Sequence, residues 1–179
     1  METYAPRRLP ILPNKTTVAL PDIEMTIRAR NTYDNHLFSR LNKGDEFVIS
    51  LASTDDAYGN FDNLILPGVK TTGCLVRVLD VVVEDTGIKV TVVGKQPVDL
   101  NDFNIDVTSG TVMANINSRP VYEREDSKLY EMLGKFTTAY TSLRQKYTQL
   151  PELIDFSQTV PEVKNIPYHL AAFLSSGNS

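Results

Sequence analysis

Residues 73–94 constrain the fold more than any other stretch of the chain. Gly73-Cys74-Leu75-Val76-Arg77-Val78-Leu79-Asp80-Val81-Val82-Val83 is followed by Glu84-Asp85-Thr86-Gly87 and then by Ile88-Lys89-Val90-Thr91-Val92-Val93-Gly94. Two β-branched runs around a short turn-forming segment predict a long antiparallel hairpin. On the returning strand Ile88, Val90 and Val92 share one face and Lys89 and Thr91 the other, the pattern of a half-buried strand. The outgoing strand is apolar on both faces except at Arg77 and Asp80. It is therefore either covered on both sides or bulged near Asp80. A sheet built on such a hairpin has to close or cover its edges, which predicts a compact, barrel-like β domain with antiparallel or mixed pairing.

The flanking sequence supplies more strands and one helix. Leu9-Pro10-Ile11-Leu12-Pro13 reads as a short edge strand, because proline cannot donate to an interior ladder. Ile23 to Ala29 reads as a second strand. Asn31 to Leu41 places Tyr33, Leu37, Phe38 and Leu41 at helical spacing, with Thr32 as N-cap and Asn42-Lys43-Gly44 as the stop. Phe47, Ile49 and Leu51 alternate as a buried strand face. Residues 54–68 form a long irregular connection with Asp55-Asp56, Gly59-Asn60 and Pro67-Gly68 as turn signals. It also carries Tyr58, Phe61, Leu64, Ile65 and Leu66, which either fold back over the sheet or form an apolar surface for partners. Phe103 to Val107, Ser109-Gly110 and Val112 to Ile116 predict a further hairpin.

Near Ser118-Arg119-Pro120 the periodicity changes. Leu129, Met132, Leu133, Phe136, Tyr140, Leu143, Tyr147 and Leu150 recur every three or four positions, an amphipathic helix. Gly134 within it is expected to mark a close helix contact. Pro151 opens a short helix over Glu152 to Gln158, and Asn165 with Pro167 opens a last one through Leu174. The fold class is α+β, with a β-rich subdomain over 1–118 and a helical subdomain over 119–179.

Chemical signals are sparse. A net charge of −4 and a pI of about 5.2 lack the basic footprint of a nucleic-acid binder. One cysteine, Cys74, forms no internal disulfide and sits in an apolar strand, where a small buried hydrophobe is expected rather than a nucleophile. Together with the absence of an apolar leader or a run of transmembrane length, this predicts a cytoplasmic chain with no membrane association. Gly94-Lys95 and Gly134-Lys135 lack the upstream glycine and following Ser/Thr of a phosphate-cradling loop. No Gly-x-Ser-x-Gly elbow and no paired zinc histidines occur. His36 and His169 lie in separate helices, as surface or hydrogen-bonded structural residues. Asp55, Asp56, Asp99 and Asp102 are expected in loops, where solvation and turn formation account for them. No catalytic residue, metal ligand or cofactor-binding residue is assigned.

Several segments taken in order resemble the amino-terminal domain of Lon-type ATP-dependent proteases. Leu9-Pro10-Ile11-Leu12-Pro13 is similar to that family's opening strand, and Val18-Ala19-Leu20-Pro21 stands at its aliphatic-aromatic-Pro-Gly turn. Here Asp22 replaces the glycine, a residue that tolerates a positive φ better than most. Lys43-Gly44-Asp45 before Phe47 matches the family's helix-to-strand link. Gly73 with its aliphatic strand, Asp85-Thr86-Gly87 and Val90 to Lys95 is the best-matching segment. Asn165-Ile166-Pro167-Tyr168-His169-Leu170-Ala171 resembles the family's Asp-X-Pro-X-X-Leu-Ala helix start.

These are structural glycines, prolines and aliphatics, which speak to fold more than to activity. The resemblance implies a PUA-like β domain joined to a helical bundle, used to recognise unfolded, damaged or degron-bearing proteins and to help order a hexamer. It implies a non-catalytic chain, with ATPase and serine–lysine protease modules elsewhere in a parent enzyme, or a free-standing relative with weak self-association. Tyr58, Phe61, Leu64 and Ile65 are the expected substrate-binding residues. A stand-alone small-ligand or adaptor module on the same fold stays open as the alternative. RNA binding rests only on the PUA-like fold, and an unrecognised hydrolase has no motif to support it.

Overall fold

The computed structural model describes residues 7–14, 18–52, 69–119, 126–148, 150, 152–153 and 165–176. They run as β1 (Arg7–Asn14), β2 (Glu24–Arg28), α1 (Thr32–Phe38), β3 (Glu46–Ala52), β4 (Val69–Glu84), β5 (Gly87–Asp106), β6 (Thr111–Ser118), α2 (Asp126–Lys146) and α3 (Ile166–Ser176). The chain divides into two compact units, Met1–Pro120 and Val121–Ser179. The fold class is α+β, as the sequence predicts.

In the first unit the six strands form one mixed sheet in the order β2-β5-β4-β3-β1-β6, and β5 pairs with β6 as well. Five strands therefore make a closed circuit, with β2 attached outside it. The sheet is barrel-like without being a regular barrel, because the 20-residue β5 changes partners along its length. One of its edges carries β4; the other carries β2 at Lys89–Val93 and then β6 at Val98–Asp106. The sequence reading left β5 broken between its two hairpins. The chain stays extended there by absorbing an irregularity between Asn101 and Asn104, with Asp102 at φ 51°.

The central hairpin is as predicted, and its outgoing strand is bulged rather than covered throughout. The β4–β5 register slips between Val78 and Asp80. Val76 and Val78 are buried, whereas Val82 and Val83 beyond the slip are exposed. The strand after α1 differs from its simple alternation: Phe47, Val48, Ile49 and Ser50 are all buried and Leu51 is exposed. Both faces of β3 are therefore covered over Phe47–Ser50, while β1 and β4 take its two edges.

β1 is also an interior strand, not the predicted edge. Arg7–Pro10 pair antiparallel with β6, and Ile11–Asn14 pair parallel with β3. Each ladder uses only half of β1, so Pro10 closes one ladder and Pro13 lies near the end of the other. A missing N–H at a ladder end sacrifices little, which is how an interior strand tolerates two prolines.

Changing partners opens a fork between β1 and β6, and α1 fills it. The Tyr33 hydroxyl donates to the Ile11 carbonyl at 2.7 Å and accepts from the Val112 amide at 3.1 Å. One buried hydroxyl thus takes the place of the ladder bonds that the separating strands no longer make. Beside it the wholly buried Asp34 carboxylate accepts from the Arg30 amide (3.1 Å) and Nε (3.3 Å). Arg30 continues to Asn14 Oδ1 (3.1 Å) and the Pro13 carbonyl (3.4 Å), tying the end of β1 to the helix. Asn31, not Thr32, caps α1: its side chain accepts from the Asp34 amide at 2.8 Å. Both residues are good caps, and the extended backbone at Asn31 decides between them.

The turn before β2 docks on β5. Asp22 adopts φ 60° in place of a glycine, and its amide donates to the Gly94 carbonyl at 3.0 Å. A Cβ at Gly94 would stand 1.9 Å from the Leu20 carbonyl oxygen.

In the second unit Leu129, Tyr140 and Ile166 are buried, with Leu133, Leu153, Leu170 and Phe173 packed against Ile166. Tyr140 stacks on Phe136 and meets Phe173 edge-on at 5.7 Å. Pro167 lies in the first turn of α3, as predicted. Gly134 has no atom within 4 Å of a Cβ built on it, so the expected close helix contact is not found among the described residues. The short helix expected after Pro151 lies largely outside the described residues, and Glu152 and Leu153 are not helical.

Two outcomes test this account. Gly94→Ala forces two backbones apart and should cost at least about 3 kcal/mol in urea unfolding. Tyr33→Phe leaves a buried carbonyl and a buried amide unpaired and should cost about 2–4 kcal/mol. A loss below about 1 kcal/mol for Tyr33→Phe would mean that water satisfies the fork equally well.

Candidate functional site

The short helix α1 lies beside both turns of the sheet. A Cβ at Gly87, in the β4–β5 turn, would lie 3.5 Å from Asn35 Oδ1. In the β5–β6 turn, the His36 ring contacts the Ser109 carbonyl through Nε2. β5 thus curves until both of its ends reach one helix. Each turn carries exposed apolar side chains: Val82 and Val83 are 44% and 77% exposed, and Val107 is 95% exposed.

Charge is arranged tightly around both turns. Glu84 accepts from Lys89 at 2.5 Å and from Arg28 at 3.3 Å, and the Lys89 bond holds its carboxyl below the usual range. Asp106 is held low first by the Ser109 hydroxyl (2.6 Å), then by the Thr108 amide (3.0 Å), with a further contribution from Arg40. A carboxylate with a depressed native pKa contributes stability that is present at neutral pH and lost on acidification.

Between β1, β6, α1 and the segment leading into β3 lies a cleft of about 490 Å³. Leu9, Pro10, Leu37, Leu41 and Met113 supply apolar walls, and Arg7, Arg40, Asp45, Glu46 and Asp106 supply charge. Arg7 is bound to Glu46 at 2.6 Å, and Glu46 also holds Arg77 at 3.1 Å. Arg7, Glu46 and Arg77 form an ion-pair chain along one side of the cleft. Among the described residues no three His, Cys, Asp or Glu side chains converge as a metal site. No described helix is long and apolar enough to cross a bilayer.

The substrate-binding residues expected from sequence, Tyr58, Phe61, Leu64 and Ile65, lie outside the described residues, as do Asp55 and Asp56. Asp99 and Asp102 lie in β5 rather than in loops. Asp99 pairs with Arg119 at 3.5 Å, and Asp102 accepts from Asn115 Nδ2 at 2.9 Å. His169 is partly exposed, and its buried Nε2 has no partner among the described residues. Sequence reasoning passed over Val82, Val83 and Val107. The available signal was adjacency to a turn: consecutive valines point to opposite faces, so one of Val82 and Val83 has to leave the core.

Cys74 is the buried small side chain the sequence predicts, 5% exposed. Burial pushes its thiol up to about 11. At pH 8 roughly one thiol in a thousand is then ionised, so native protein should resist iodoacetamide while urea-unfolded protein is alkylated within minutes. Rapid alkylation of native protein would show that β3 and β4 open readily around it.

No family model matches the chain, and no curated protein matches it. Among solved structures, the N-terminal domain of Mycobacterium avium complex Lon protease matches with a TM-score of 0.57 at 13% identity, over 97% of this chain and 99% of that one. A Lon N-terminal domain protein from Xanthomonas campestris aligns over 93% of this chain and 98% of that one, at 18% identity and a TM-score of 0.47. By the first of these, the chain has the fold of a Lon N-terminal domain.

Proposed function

We propose that this chain is a non-catalytic protein-recognition domain of the Lon type, part of an ATP-dependent protease or a free-standing relative, that captures unfolded or damaged polypeptides. In this reading ATP hydrolysis and bond cleavage belong to other modules, and the chain works in the cytoplasm. The exposure of Val82 and Val83 at the end of β4 and of Val107 in the β5–β6 turn carries the reading. Apolar side chains held rigidly in water can meet apolar segments of unfolded chains without an ordering cost on the receptor side. The Lon-type fold supports the same reading, as does the apolar string Tyr58, Phe61, Leu64 and Ile65 in the sequence. Each such contact is weak, and several copies acting together would supply affinity.

Reduced, carboxymethylated lactalbumin is a suitable probe because it cannot refold. The wild-type chain, displayed at high density on a surface, should retain it and should not retain the native protein. Combined Val83→Ser and Val107→Ser substitutions should reduce retention at least threefold with the melting temperature unchanged. Phe61→Ser with Ile65→Ser tests the sequence-derived residues in the same way. A wild-type surface that retains no unfolded protein would refute the reading.

The cleft of about 490 Å³ favours a second reading, a small-ligand or adaptor-binding module. Its signature would be ligand-induced NMR shifts clustered at Leu41 and Met113, in a chain that ignores unfolded protein.

A further inference from the structure

The outer edge of β4 is closed over only part of its length. β3 pairs with it from Val69 to Arg77. The next position is held by the segment before β3: the Val78 amide donates to the Asp45 carbonyl at 2.8 Å, and the Gly44 amide donates to the Val78 carbonyl at 2.9 Å. Beyond the slip at Val78–Asp80, no described strand pairs with this edge, while β5 continues along the inner edge to Glu84.

The direction of the free backbone groups follows from the opposite side of the hairpin. The Ile88 carbonyl accepts from the Ala29 amide at 2.9 Å, so the backbone of Ile88 faces β2 and not β4. In an antiparallel ladder, facing residues either exchange both bonds or turn both sets of groups away from each other. Val83 faces Ile88 and Val81 faces Val90 across that ladder. The N–H and C=O groups of Val81 and Val83 therefore point out from the open edge, at the two-residue spacing that an extended chain repeats.

We infer that Leu79–Glu84 is a strand-docking edge, on which an extended segment of a client chain adds to the sheet beside Val81 and Val83. This rests on the protein-recognition reading above and gives it a site and a chemistry. Main-chain bonds would supply sequence-independent attachment, as suits varied clients, and the exposed Val82 and Val83 would favour apolar side chains opposite them. Asp80 is exposed and forms no ion pair among the described residues, so the fitting segment brings Lys or Arg to that position. A second copy of this chain fits less well. The two-fold register that uses Val81 and Val83 of both copies sets Asp80 opposite Glu84, like charge against like.

Val83→Pro is the discriminating substitution, because it removes an outward N–H that the β4–β5 ladder does not use. The probe is a fluorescein-labelled peptide, Ser-Val-Thr-Val-Lys-Val-Thr-Ser, followed by anisotropy against the whole chain. Val83→Thr, which keeps the N–H and trades one methyl for a hydroxyl, should bind within about threefold of wild type, and Val83→Pro should bind at least tenfold more weakly than wild type with an unchanged melting temperature. Replacing the peptide's Lys by Glu should weaken binding to wild type, and Asp80→Lys should reverse that preference. Equal binding by Val83→Pro, or no binding by wild type, would overturn the inference. So would sedimentation showing that wild type pairs with itself through this edge and ignores the peptide. Val83→Pro that still captures unfolded lactalbumin as wild type does would remove the edge and leave the recognition reading standing. Loss of capture by wild type itself would remove that reading.

Discussion

The Tyr33 hydroxyl is the point on which the β unit depends. β1 has to serve two partners, β6 with its first half and β3 with its second, because only then does the sheet close on itself. The change of partner leaves the Ile11 carbonyl and the Val112 amide facing a gap inside the core. An unpaired buried backbone group costs about as much as a good hydrogen bond is worth, so an unfilled fork would offset much of what closure gains. Tyr33 satisfies both groups with one atom, and its burial drives the phenol pKa well above its ordinary value. The rest of α1 is placed by that insertion: Leu37 and Phe38 enter the core, Asp34 meets Arg30, and Asn35 and His36 meet the two turns.

Closure in turn sets what is left over for binding. A circuit of five strands has no edges of its own, so the open edges belong to what projects from it: β2 on one side of the hairpin and the end of β4 on the other. The Gly44-Asp45 segment stops the paired part of β4 at Val78, and the register slip after it separates a buried half from an exposed half. The β unit thus presents a short, apolar, hydrogen-bond-competent strand end. Natural sheets usually blunt such edges with charge, and here one carboxylate, Asp80, interrupts the apolar run. In the proposed role, that carboxylate lets the edge accept other chains while opposing self-association.

Much of this was legible in the residues, and the failures have common causes. The hairpin over 73–94, β2, α1 and the α3 start follow from local pattern and turn chemistry. What could not be read was non-local. The two prolines of β1 argue for an edge until its partners are known to change at Pro10. Asn101 to Asn104 look like a loop because a bulged strand uses the same residues as a turn. Asn31 and Thr32 are equivalent caps on paper, and Gly134 has no packing reason among the described residues. For the candidate site, the string from Tyr58 to Ile65 was read from composition alone, whereas the exposed valines emerged only once register and burial were known. Apolar residues report their own exposure poorly, since the same side chain serves a core and a docking surface.

Native-state hydrogen exchange at the Val112 amide tests the central claim most directly. If the Tyr33 hydroxyl seals the fork, this amide exchanges only through global unfolding of the β unit, at the same free energy as buried ladder amides such as Val76 and Val92. Exchange several orders of magnitude faster than those amides, under conditions where they stay protected, would mean that the fork is open to water and that closure rests on something else.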